Sequence, residues 1–194
     1  MSSTIESLNP VVRAIVEGTA PRPAVVAASR GVLPLPPTDL LEVLVRLARS
    51  DDGELSTNAW ATLSEQDPST LEGSLRTADI ASAVLDHFAQ QTGLPTSLYE
   101  AIITNEKTTA DTFVRFARTS NNGEMLERLA LNQQLLIQTP ALIEAIIANP
   151  ASPSEAERRA SETKREFFEK ERGAQQIANE LRAQGKEAAA EFIE

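Results

Sequence analysis

The stretch from Leu98 to Thr108 reads LYEAIITNEKT, and 44 positions later the stretch from Leu142 to Ser152 reads LIEAIIANPAS. Six of the eleven aligned positions are identical, and Ile, Ala and Ser replace Tyr, Thr and Thr at three of the others. A duplicated phrase of this kind states an architecture rather than a chemistry. Each copy is an apolar run at helical spacing closed by Asn. A helix of two or three turns cannot bury its apolar face alone, and copying the unit supplies the neighbour that covers it.

The echo extends beyond the two phrases. MLERLALN, from Met125 to Asn132, keeps the same apolar and charged outline with a terminal Asn. VLDHFA, from Val84 to Ala89, parallels TFVRFA, from Thr112 to Ala117. Asn105, Asn132 and Asn149 each close a helical run, and turn-forming Asn accounts for them structurally, through tolerance of left-handed backbone and local hydrogen bonding. Pro150 biases Asn149 away from a left-handed cap.

Helix starts are written at Asn9 before Pro10, Thr38 before Asp39, Asp67 before Pro68, Thr109 before Ala110, and Thr139 before Pro140. Short oxygen-bearing side chains accept bonds from the first free amides, and proline fits the first turn because its missing N–H has no partner there. The periodicity predicts helices over 10–17, 22–29, 39–49, 54–65, 68–75, 79–91, 96–104, 110–119, 123–131, 133–138, 140–148 and 153–191. In TDLLEVLVRLARS the apolar side chains form one broad stripe, with Glu42, Arg46 and Arg49 falling away from it. No segment reads as a strand. Short breakers such as SDDG and SNNG predict antiparallel neighbours.

IITNEKTTADTFVRFA and IIANPASPSEAERRA share a short helix, an Asn with or without Pro, a Thr/Ser-rich turn and a second helix. This pattern resembles bacterial α-solenoids of the HEAT-like and leucine-rich-repeat-variant kind, and LLEVLVRLARSDDGELSTNAWATLSEQ resembles a HEAT hairpin. The likeness covers roughly residues 38–160, with irregular spacing. It implies an all-α, right-handed solenoid of short antiparallel helix pairs that serves as a binding scaffold, and it carries over no catalytic residue. The expected division is a helical-repeat domain over 1–152 and a charged helical extension over 153–194.

That extension, from Ser154 to Glu194, holds ten acids and eight bases. Ala160, Phe167, Ala174, Leu181 and Ala188 recur every seven residues, but their companion positions are mostly polar, which argues against an independent coiled coil. Phe167, Phe168, Ile177 and Leu181 are instead expected to dock the helix on the last repeat. The closing AAAEFIE lacks a helix stop, an expectation that more chain follows.

Composition narrows the chemistry. The 194 residues carry a formal charge of −10 and only 4% aromatic residues. This balance disfavours sequence-independent binding to nucleic acid or anionic lipid, which rests on surplus Lys and Arg. With no cysteine there is no disulfide, thiolate nucleophile or Cys-ligated zinc. No apolar run reaches the ~18 to 20 residues of a membrane helix, and no secretory signal is written, so a cytoplasmic location is expected.

His87 is the sole histidine and reads as a partly exposed helix residue rather than a catalytic base; Asp86 lies off its face. No HExxH, GxSxG, Walker loop or GxGxxG occurs. Glu124 and Glu127 beside Arg128 read as a solvated helix face. Trp60 falls in a stripe with Leu55, Ala59 and Leu63 and is expected in the core, its bolder role being an exposed anchor. The functional expectation is a non-enzymatic scaffold for a protein or peptide, with no catalytic residue, cofactor or metal. The alternative is a nucleic-acid-binding solenoid using a small strip of Arg115, Arg118 and Arg128.

Overall fold

The computed structural model describes residues 5–191, and every regular element among them is helical. The protein is all-α. Its chain divides into two compact units, the first ending at Phe116 and the second beginning at Ala117. The sequence-based division at 152/153 follows a change in composition, whereas this one follows the density of contacts.

In the first unit the central element is α3 (Pro37–Ala48). It packs on α4 (Gly53–Ser64) most extensively, and also on α1 (Pro10–Val16), α2 (Arg22–Ser29), α5 (Pro68–Leu75) and α6 (Ser82–Ala89). Neighbours on so many sides explain why α3 is buried almost all round: Leu41, Val43, Leu44 and Val45 are at most 2% exposed, as is Glu42. The single-stripe reading of this helix is therefore corrected. A run rich in Leu and Val with one acid suits a helix that is enclosed rather than laid on a surface.

Several caps are as read. Asn9 Oδ1 accepts the Val11 N–H at 3.0 Å, and Asp67 Oδ2 accepts the Thr70 N–H at 2.9 Å. Thr109 Oγ1 accepts the Thr112 N–H at 3.2 Å, starting α8 (Ala110–Thr119). Thr38 and Thr139 do not cap by side chain. Pro37 already occupies the first turn of α3, and its fixed φ begins the helix one residue before Thr38. At α2 the chain leaves through Gly31 with φ +69°, where a Cβ would also lie 2.8 Å from Thr62 Cγ2. Only glycine fits there.

The segment preceding α1 has no regular structure but is tied down. Glu42 Oε1 and Oε2 accept the backbone N–H groups of Glu6 and Ser7, both at 3.0 Å. Asp39 accepts the Ser7 hydroxyl at 2.7 Å and the Asn9 side-chain amide at 2.8 Å. The acidic residues of α3 thus hold a strap of chain instead of facing water.

In the second unit α12 (Ser154–Thr163) packs on α9 (Gly123–Leu131), α10 (Gln133–Gln138) and α11 (Pro140–Ala148). Ala156, Ala160 and Thr163 are its buried face. Their small size suits close packing on α9 and α11, whose Met125, Leu126, Ile143 and Ile146 are at most 1% exposed. A π-helical turn, Lys164–Glu169, follows before α13 (Lys170–Ala183) and α14 (Glu187–Glu191). The wider turn shifts the face presented beyond it. Phe167, within that turn, is 36% exposed, and beyond it Ile177 is 49% exposed while Ala178 is buried. Docking is thus achieved by small residues before the π turn, not by Phe167 and Ile177. The side chains of Phe168, Ala174 and Ala188, and the chain end after Glu191, lie outside the described residues. Gly185, with φ +73°, separates α13 from α14.

Candidate functional site

The duplicated phrases prove to be duplicated clamps. The Asn105 side-chain amide donates to Leu75 O at 2.7 Å and Thr77 O at 3.0 Å. Asn149 donates likewise to Ala117 O at 2.6 Å and Ser120 O at 2.8 Å. Each side-chain oxygen also accepts the N–H two residues on, from Lys107 at 2.9 Å and Ala151 at 2.8 Å. The hydroxyls of Thr108 and Ser152 in turn bond the carbonyls of Ile102 and Ile146. Both Asn residues are extended, with φ −77° and −80°, not left-handed. Asn132 differs: its Oδ1 caps α10 through the Leu135 N–H at 3.0 Å.

The sequence also builds a cleft of about 270 Å³ between the C-terminal parts of α4 and α6 and the starts of α5 and α7 (Thr96–Thr104), at the ends of α5 and α7 away from the first clamp. Trp60, Leu63, Leu71, His87, Phe88 and Pro95 are among its walls. Trp60 is 44% exposed, so the core expectation is corrected: Leu55, Ala59 and Leu63 take the inner face of α4, and Trp60 stands at its edge. Its ring lies 5.0 Å from that of His87 at 46°, and the His87 ring meets Phe88 edge-on at 5.1 Å.

His87 is 5% exposed, contrary to the expectation of partial exposure. Burial, with the nearby Arg49 guanidinium, pulls its imidazole down to about 4, against the opposing pull of Asp86. It is a neutral ring at physiological pH, packed as a flat wall. Its polar neighbour is the Gln91 amide, 3.4 Å from Nε2.

The opposite wall is a loop held by Tyr99. That residue is 5% exposed, and its hydroxyl donates to Gln91 O at 2.7 Å and accepts the Leu94 N–H at 3.3 Å. Gly93, with φ +77°, makes the turn between them. A buried Tyr with its hydroxyl satisfied in this way fixes the cleft from behind.

On another face of α6, Asp86 is bonded by Arg115, receives the Thr112 hydroxyl at 3.1 Å and lies 3.6 Å from Arg49. Glu6 accepts the Ser82 N–H at 2.8 Å and Lys107 Nζ at 3.1 Å. Burial pushes the Glu6 carboxyl up, but the bonds from Ser82 and Lys107 outweigh it and hold the group below the usual range. Glu6, Ser82, Asp86, Arg49, Thr112 and Arg115 are among the residues that line a polar cavity of about 250 Å³. The successive residues Asp86 and His87 thus serve different surfaces, as their 100° separation on a helix requires.

Of the arginines singled out from sequence, Arg115 engages Asp86, Arg128 lies 3.5 Å from Glu124, and Arg118 is exposed. No group of three or more His, Cys, Asp or Glu able to hold a metal occurs among the described residues. No helix among them is long and apolar enough to cross a membrane. No protein-family model matches the chain, and no curated protein or solved structure matches it.

Proposed function

We propose that this chain is a non-enzymatic helical-repeat scaffold that holds a protein or peptide partner in the cytosol. The repeat reading, a right-handed α-solenoid of HEAT-like or leucine-rich-repeat-variant type over 1–152 with a helical extension over 153–194, is supported by the matching Asn105 and Asn149 clamps. A stacked array offers a rigid recognition surface without moving parts.

The observation that carries the binding reading is the cleft around Trp60. A large, half-exposed aromatic ring backed by a buried imidazole and bordered by Leu, Phe and Pro has the make-up of an interaction anchor. The cleft is smaller than the ~300 to 1,000 Å³ usual for small-molecule sites, which suits one inserted side chain better than a cofactor. The nucleic-acid alternative draws less support, because Arg115 and Arg128 are engaged by carboxylates and the chain is strongly acidic.

Selection from a displayed random-peptide library tests the proposal. Peptides that converge on an apolar residue and lose binding to the Trp60→Ala protein support it. Peptides whose binding ignores Trp60→Ala, or a selection without convergence, count against it.

A further inference from the structure

The proposed cleft leaves open what a partner must carry, and the charges around it answer. No Lys or Arg lines the cleft. The connection from α4 to α5 contributes Ser64, Gln66 and Pro68 to the wall, and the residues interleaved with them are Glu65 and Asp67, both exposed. Asp67 accepts bonds from Ser69 and Thr70, which hold its carboxyl below the usual range. Glu72, next to the wall residue Leu71, is engaged by Arg76 at 2.9 Å. Glu65 and Asp67 are thus the carboxylates interleaved with this wall.

Trp60 adds a second attraction of the same sign. Its indole packs toward His87, tilted at 46°, and the residue is 44% exposed, which leaves part of it open to solvent. An exposed indole face attracts a Lys ammonium or Arg guanidinium through the ring quadrupole. The imidazole is buried as a neutral ring, and the Arg49 guanidinium near it lies 3.6 Å from Asp86 and is not among the cleft's walls. The apolar walls, the exposed Glu65 and Asp67 in the connection that supplies one of those walls, and the half-exposed indole therefore favour the same ligand.

We infer that the Trp60 cleft takes a basic peptide segment, seating one aliphatic side chain between Trp60, Leu71 and Phe88 while flanking Lys or Arg residues meet Glu65, Asp67 and the indole face. This inference rests on the peptide-binding reading above and adds the chemistry of the ligand.

Trp60 is the only tryptophan, so its emission reports the site directly. The probe is a capped alanine-based peptide of about nine residues with a central Leu and two Lys on either side, at about 20 mM salt, where exposed charges are weakly screened. A saturable emission change is expected. Affinity should fall about tenfold or more when Glu replaces the lysines, in line with the cost of like charges at an interface. It should fall similarly when Ser replaces the Leu.

The Glu65→Gln/Asp67→Asn double variant retains side chains able to cap α5 and should narrow the Lys-over-Glu preference to about threefold or less, since each exposed charge contributes modestly. Its helical circular dichroism checks folding. Equal binding of the Lys and Glu peptides overturns the basic-ligand inference while leaving the peptide-binding cleft standing. Equal binding of the Leu and Ser peptides overturns the seated side chain. Silence from every Leu-bearing peptide removes both this inference and the reading beneath it.

Discussion

Asn149 reaches back 32 positions to donate its buried side-chain amide to the Ala117 carbonyl at 2.6 Å. It caps from a distance, satisfying a helix-terminal carbonyl with a residue of another turn. Asn149→Ala leaves that carbonyl and its neighbour at Ser120 without this donor, and should cost about 1 to 3 kcal/mol in urea unfolding. Asn149→Asp should not rescue it, because an ionised Asp accepts only and would confront two carbonyl oxygens. Asn105→Ala should cost less, its bond to Thr77 lying at the surface.

The clamps also mark the limit of what the sequence disclosed. Helix positions were legible because Leu, Ile and Ala spacing and the caps at Asn9, Asp67 and Thr109 are local signals. Asn105 and Asn149 were visible as repeated letters, but their acceptors lie 28 to 32 residues away, and no local rule points across such a gap. Glu42 shows the same difficulty in another form. A charged residue in an amphipathic run reads as exposed until a distant segment, here Glu6 and Ser7, is found bonded to it. The cleft escaped the sequence because Trp60 sits at the edge of its helix stripe, where a single position decides between core and rim.

His87 makes stability fall with acid over a defined window. Its folded value, about 4, lies below the ordinary one near 6.5, so the unfolded chain binds the extra proton first and the folded state resists it. The contribution is fully present above about pH 6.5 and is lost as pH falls toward 4. Melting temperatures across pH 4 to 7 should decline more steeply in the native protein than in His87→Gln, which cannot titrate. Parallel pH profiles would refute the assignment.

Tyr99→Phe tests whether the cleft wall is held from behind. The change keeps the ring that lies 5.6 Å from Phe116 and removes the bonds to Gln91 and Leu94. Stability should drop by about 1 kcal/mol, the usual net worth of such bonds. Amide exchange at residues 91–94 should accelerate without matching change in α3. Unaltered exchange there would mean that the loop is fixed by packing alone.

The N-terminal strap should come away when Glu42 is removed or Glu6 is protonated. Glu42→Ala deletes both partners of the Glu6 and Ser7 amides, bonds to a charged group worth about 1.5 to 3 kcal/mol each. Amides of residues 6 and 7 should then exchange at the rate of free chain. Glu6 supplies the second fastening, and its depressed carboxyl stabilises the docked strap above the unfolded value near 4.5. That part is lost as pH falls through the lower folded value. Acid should therefore weaken the strap in the native protein, whereas in Glu6→Gln the contact with Ser82 and Lys107 should be weak at every pH. A Glu6→Gln strap that still shows the native acid response would mean that Glu6 is not the group behind it.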